Sequence, residues 1–167
     1  MKPAEPRIRF TTGDIPEALS IMREAAQWLA DSGKPMWNTD EFTPERFHNP
    51  PDEFIVMWDG AESVAALILS FEDTFFWPDI PAGTSGFIHK LSVRRKYAGH
   101  GMAENLIEYT VQLCKTRGIP ALRLDCDPNR PGLCAFYERC GFKLKEIKPL
   151  YTQQLGTIDL AYYELFF

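Results

Sequence analysis

The chain has 167 residues, 45% of them hydrophobic, with 23 acidic against 18 basic residues and a formal net charge of -5. That length suits one domain, expected to span residues 1–167, with a continuous core. The acidic balance argues against nucleic-acid partners, because phosphate neutralisation usually leaves a basic face. The start, MKPAEPRIRF, lacks a signal-peptide core, and the longest aliphatic run, Val64 to Leu69, is too short for a bilayer. A cytoplasmic protein with no membrane partner is expected.

Ile8 to Thr11 reads as a first strand, and Asp14 can cap a helix that opens at Ile15-Pro16, where proline is tolerated. Ala18, Ile21, Met22, Ala25, Trp28 and Leu29 recur at helical spacing as a core-facing stripe, which Gly33 and Pro35 end. An irregular aromatic segment follows, with a short helix near Thr43-Pro44-Glu45. Phe54 to Trp58 and Ser63 to Ser70 read as antiparallel strands joined at Asp59-Gly60, a dipeptide suited to the positive φ angles of a tight turn.

After an aromatic loop from Phe71 to Gly86 comes a strand, Phe87 to Val93, whose alternation places Phe87, His89, Leu91 and Val93 on one face. A helix from Gly101 to Arg117 carries the stripe Ala103, Leu106, Ile107, Thr110, Leu113 and Cys114. Ala121 to Asp125 is a strand, and Pro131 to Cys140 a half-buried helix with Asn129 near its cap position. Phe142 to Ile147 and Thr157 to Phe166 close the chain as strands. The order predicts an α/β (α+β) fold with a mixed sheet and helices on both its faces.

The four cysteines, Cys114, Cys126, Cys134 and Cys140, form no C-x-x-C pair, so neither a zinc site nor a disulfide framework is indicated and no metal is expected. The stretch VRRKYAGHGMA, Val93 to Ala103, is the most informative. Gly99 and Gly101 stand where a helix begins, its first N–H groups unpaired and its dipole positive, and glycines let an anion approach closely. Arg94, Arg95, Lys96 and His100 are expected to add local positive charge, so that a diphosphate fits. A plain strand-to-helix turn with solvated cations is the competing reading. A P-loop is excluded by its missing Lys-Ser/Thr ending, and a dinucleotide fingerprint by Glu104 where its third glycine would stand.

From His89 to Phe142 the sequence resembles the GNAT superfamily of acyl-CoA-dependent N-acyltransferases. Three features carry the resemblance: the [QR]-x-x-G-x-[GA] loop as Ala98-Gly99-His100-Gly101-Met102-Ala103, Asn129 after the next strand, and FYERCGF over Phe136 to Phe142. One departure is Ala98, where the family usually has Gln or Arg; Lys96 or Arg94 is a candidate to compensate. The resemblance implies a mostly antiparallel central sheet of about six or seven strands. It also implies acetyl-CoA as cosubstrate, with coenzyme A as product, and a primary amine acceptor. Leu91, Ser92 and Val93 would pair with the pantetheine amides, Gly99 to Ala103 would bind the pyrophosphate, and Asn129 would hydrogen-bond the pantetheine region.

Acyl transfer to an amine needs a neutral amine, a stabilised oxyanion and a thiolate able to leave. In the family register Tyr137 meets the coenzyme sulfur and serves the leaving thiolate, and the Leu91 amide meets the oxyanion. Read without that register, Tyr137 is equally a packed aromatic. His89, ordinarily titrating near 6.5, is a candidate base or a structural histidine; Glu72 and Asp73 are weaker candidates. No matched partners make a cysteine nucleophile. Trp28, Trp37 and Phe75 lie in the segments where the superfamily builds its acceptor cleft, or else in a second core or dimer contact. A non-catalytic acyl-CoA-binding module and a thioester hydrolase are the alternatives. The aromatic C-terminus, ending Tyr162-Tyr163-Glu164-Leu165-Phe166-Phe167, suits a homodimer.

Overall fold

A computed structural model describes residues 7–47 and 49–167. Most of the segment used above to exclude a signal peptide, residues 1–6, lies outside the described residues. The chain divides into two compact units: the first runs to Ser70 and adds His89–Glu108, and the second holds Phe71–Ile88 and Tyr109–Phe167.

The first unit contains β1 (Ile8–Thr12), α1 (Ile15–Asp31), α2 (Pro44–Phe47), β2 (Glu53–Asp59) and β3 (Glu62–Ser70). It also takes the end of β4 (Gly86–Val93) and the start of α3 (Met102–Thr116). The Asp14 side chain caps α1 by accepting from the Glu17 N–H at 3.3 Å. Ala18, Leu19, Ile21 and Met22 of α1 pack with Phe54 and Val56 of β2 and Ala66 and Ile68 of β3, all buried. β1, β2 and β3 form an antiparallel meander. The β2–β3 turn differs from expectation by one residue. Asp59 pairs with Glu62, so the loop is Gly60-Ala61, and only Gly60 takes a positive φ, 61°. A positive φ at the first of two loop positions is the type II′ arrangement, which calls for glycine there.

The second unit begins with the first residues of β4, which pair in parallel with β5 (Ala121–Cys126) at Gly86↔Leu122 and Phe87↔Arg123. β5 pairs antiparallel with β7 (Gly156–Phe166), and β7 with β6 (Lys143–Thr152). α4 (Pro131–Arg139) lies between β5 and β6 in sequence. Trp77, Phe87, Leu160 and Tyr162 form a buried hydrophobic cluster of this unit. β6 extends five residues past the expected Ile147, to Thr152, although Pro149 lies within it. It stands last in the strand order, and an edge strand tolerates a residue without an N–H.

The strand order is β1-β2-β3-β4-β5-β7-β6, a seven-stranded, mostly antiparallel sheet flanked by helices, as the mixed α/β expectation required. Among the described residues no helix is long and apolar enough to cross a membrane.

Candidate functional site

In the first unit β4 ends at Val93, and a short 3-10 turn, Arg95–Tyr97, leads through Ala98 to the glycines and then α3. Gly99 has φ 79° and Gly101 φ 78°, while a Cβ added at either would meet nothing within 4 Å. Backbone conformation therefore dictates glycine, since a side chain in this left-handed region costs about 1–2 kcal/mol. The open space beside the two glycines is what a close-lying anion needs. Gly101 O accepts from Asn105 N at 3.1 Å, which makes Gly101 the cap residue and turns the first helical amides outward from the helix body. Gly99 and His100 are exposed; Gly101, Met102 and Ala103 are half-buried.

The cations before the loop do not serve it as expected. Arg94 reaches Glu17 at 3.1 Å and Glu24 at 3.3 Å, and donates to Ser63 O at 2.9 Å. Arg95 lies over the Trp28 ring at 4.0 Å, and its backbone N–H donates to Glu24 at 3.0 Å. Lys96 pairs with Glu62 at 3.0 Å. Tyr97 OH also donates to Glu62, and with Lys96 it holds that exposed carboxyl below the ordinary carboxylate range. Each cation thus has a protein partner, and the loop must hold an anion mainly through backbone amides. Ala98, extended at φ -62° and ψ 139°, adds no polar side chain. Arg94→Ala is therefore expected to lower unfolding stability by about 2–3 kcal/mol while leaving coenzyme affinity unchanged, as urea denaturation and calorimetry would show.

β4 departs from the expected alternation at Lys90, whose φ of 55° is the one positive value at a non-glycine among the described residues. A left-handed residue inside a strand shifts the faces of those that follow it. Phe87 is buried, but His89, Leu91 and Val93 are only half-buried, while Ser92 is buried and its hydroxyl donates to Lys90 O at 2.9 Å. The left-handed Lys90 interrupts the regular alternation between His89 and Leu91. Lys90 Nζ stands 4.8 Å over the Trp37 ring, a contact with no signature in the sequence.

In the second unit Asn129 is exposed and lies one residue outside the helix cap. Its N–H donates to Asp127 Oδ1 at 2.9 Å, and Arg130 takes the cap position of α4 without a side-chain capping bond, its guanidinium standing 3.7 Å from Asp127 Oδ2. Asp127, an efficient turn former, draws the chain into an Asx turn and displaces Asn129 from the cap. Tyr137 is buried, with ring centroids 5.2 Å from Phe136, 5.9 Å from Phe142 and 6.3 Å from Tyr163. Burial first, then Cys126 and Asp125, hold its phenol above the ordinary tyrosine range, so it stays a proton donor. Cys126 Sγ lies 3.8 Å from Cys134 Sγ, and burial pushes the Cys126 thiol up, which suits packing and not nucleophilic attack.

Trp28 is not on the buried stripe of α1; it is 40% exposed and covered by Arg95. Trp37 packs against the first unit's core, edge-on to Phe42 at 6.0 Å. Phe75, in the second unit, is 54% exposed and edge-on to Phe76 at 4.8 Å.

A family model described as "Acetyltransferase (GNAT) family" matches residues 22–142. The chain is 28% identical over 121 residues to "N-alpha-acetyltransferase 30" of Schizosaccharomyces pombe, covering 71% of this chain and 75% of that protein. Among solved structures it is similar to a GNAT-family acetyltransferase from Listeria monocytogenes, with TM-score 0.70 and 21% identity over 95% of each chain. It is also similar to a GNAT-family acetyltransferase from Elizabethkingia anophelis solved with acetyl-CoA bound, with TM-score 0.64 and 14% identity over 98% of this chain and 100% of that one.

Proposed function

The chain belongs to the GNAT acetyltransferase family, and we propose that it transfers the acetyl group of acetyl-CoA to a primary amine of a small-molecule acceptor by direct attack in a ternary complex. The observation that carries this reading is the Gly99/Gly101 pair, both at positive φ beside open space at the start of α3. The family match runs across both units, which supports residues 1–167 acting as one N-acetyltransferase domain.

Acetyl-CoA supplies the activated acetyl group. The backbone amides of Gly99 to Ala103 hold the pyrophosphate, aided by the dipole of α3. Leu91 to Val93 offer strand-like backbone groups to the pantetheine amides, with the Leu91 N–H as oxyanion donor, and the exposed Asn129 side chain bonds the same arm. Tyr137, kept protonated by burial, donates to the sulfur as it leaves. His89 is the proposed base for the acceptor ammonium, and Trp28, Trp37 and Phe75 contribute aromatic surface to the acceptor. Parallel calorimetric titrations with acetyl-CoA and NADH at low salt test the reading. Micromolar acetyl-CoA binding with no NADH response supports it; no acetyl-CoA binding removes the enzyme assignment.

A further inference from the structure

Within the second unit the register of β5, β7 and β6 puts three polar side chains in one row, Asp125 opposite Tyr162 and Tyr162 opposite Glu146. Directly opposed residues of an antiparallel pair project from the same face. Tyr162 is fully buried at 0% exposure, and its hydroxyl has no hydrogen-bond partner among the described residues. Trp77, 4% exposed, stands edge-on to Tyr162 with ring centroids 5.0 Å apart, and its indole N–H is likewise buried without an acceptor. Buried donors are almost always satisfied in folded proteins, so two unmet ones in a single cluster point to something that fills them.

Acidic groups accompany these donors. A carboxylate oxygen of Asp73 lies within 4.8 Å of one from Asp125. Asp73 is buried, its Oδ1 accepting from the N–H groups of Phe75 at 3.2 Å and Phe76 at 2.9 Å, whereas Asp125 is half-buried and Glu146, at the other end of the row, is exposed. Glu146 pairs with Lys148 at 3.2 Å, and Lys148 Nζ stands 4.5 Å over the Tyr162 ring. After burial, Asp125 is the leading charge that raises the Tyr162 phenol and an accompanying one that raises the Tyr137 phenol.

Resting on the transferase reading above, we propose that Asp125, the Tyr162 hydroxyl and the Trp77 indole N–H form the acceptor subsite, and that the acceptor is an amine carrying a hydrogen-bond-accepting oxygen close to its nitrogen. An ionised carboxylate only accepts and an indole N–H only donates. A ligand that engages both presents an ammonium to Asp125 and an oxygen to Trp77, with the Tyr162 hydroxyl able to serve either. An α-amino amide has that form; a simple alkylamine has only the first half.

The test follows the indole N–H signal of Trp77, one of four tryptophans, assigned by its loss in Trp77→Phe. The ¹⁵N-labelled protein is titrated separately with glycinamide, propylammonium and magnesium chloride. Glycinamide is expected to move the Trp77 signal saturably. Asp125→Asn and Tyr162→Phe are each expected to weaken that response at least tenfold, and Tyr162→Phe should not lower the melting temperature, because it removes an unmet hydroxyl. An equal response to propylammonium, a response to magnesium alone, no response to any probe, or unchanged glycinamide affinity in both variants would each overturn the proposal. Acetyl-CoA calorimetry on the same preparations separates the two readings. Coenzyme binding without an amide response sinks the subsite and leaves the transferase, whereas an amide response without coenzyme binding keeps the subsite and removes the transferase.

Discussion

Tyr137→Phe is expected to lower kcat by about 10²-fold, the lower end of what a positioned proton donor contributes, with acetyl-CoA affinity unchanged. The lower end follows from the direction of the phenol's shift. Burial, with Cys126 and Asp125, raises Tyr137 above the ordinary tyrosine range, so full transfer to a thiolate of ordinary basicity is uphill, and the hydroxyl acts mainly by hydrogen-bonding the sulfur as charge develops. Phenylalanine keeps the ring contacts with Phe136, Phe142 and Tyr163, which separates loss of the hydroxyl from loss of packing. The same shift fixes a sign in pH. The folded state retains this proton where the unfolded chain loses it, so the associated stability is present below about pH 10 and declines as pH rises beyond it. Any alkaline loss of activity at lower pH must come from another group. Single-turnover release of coenzyme A thiol, with an acceptor found by an amine screen, measures the effect. An unchanged rate in Tyr137→Phe would make Tyr137 a packing residue only.

The parts of the fold legible in the sequence are those imposed by local chemistry. Glycine at 99 and 101 announces positive φ, Asp14 before Pro16 announces a helix start, and the 3.6-residue stripe of α3 puts Leu106, Ile107, Thr110 and Cys114 in the core. Features set by partners distant in the chain were hidden. The run Arg94 to Lys96 reads as a cationic cradle until Glu17, Glu24 and Glu62 are found to hold Arg94 and Lys96. Lys90 carries no local mark of its left-handed φ, which interrupts the regular alternation expected of β4. The row Asp125–Tyr162–Glu146 joins residues from three strands and exists only through their register. Asn129 stands near the cap as expected, one residue outside it, because Asp127 two residues earlier captures its N–H. That signal was available in the order Asp-Pro-Asn.

Replacing both loop glycines, Gly99→Ala with Gly101→Ala, is expected to weaken acetyl-CoA binding by at least tenfold, and which quantity changes identifies how the loop responds. If the backbone keeps its φ of 79° and 78°, each alanine Cβ enters the left-handed region at about 1–2 kcal/mol. The loss then falls chiefly on stability, because nothing stands within 4 Å of either Cβ and no protein contact is broken. The added methyls also occupy the open space assigned to the pyrophosphate, which lowers affinity directly. If the backbone instead relaxes to negative φ, the strain disappears, the amides of Gly99 to Ala103 no longer converge on one anion, and affinity falls with stability intact. A tenfold loss corresponds to about 1.4 kcal/mol, so one displaced amide contact suffices. Calorimetry and urea denaturation on the single and double variants distinguish the two responses. Arg94→Ala serves as the contrast, since its ion pairs to Glu17 and Glu24 support stability without facing the loop's anion. Unchanged affinity in the double variant would mean that the glycines only shape a turn, and with Arg94 and Lys96 held by carboxylates, Arg95 and His100 would be the neighbouring charges left to hold a diphosphate.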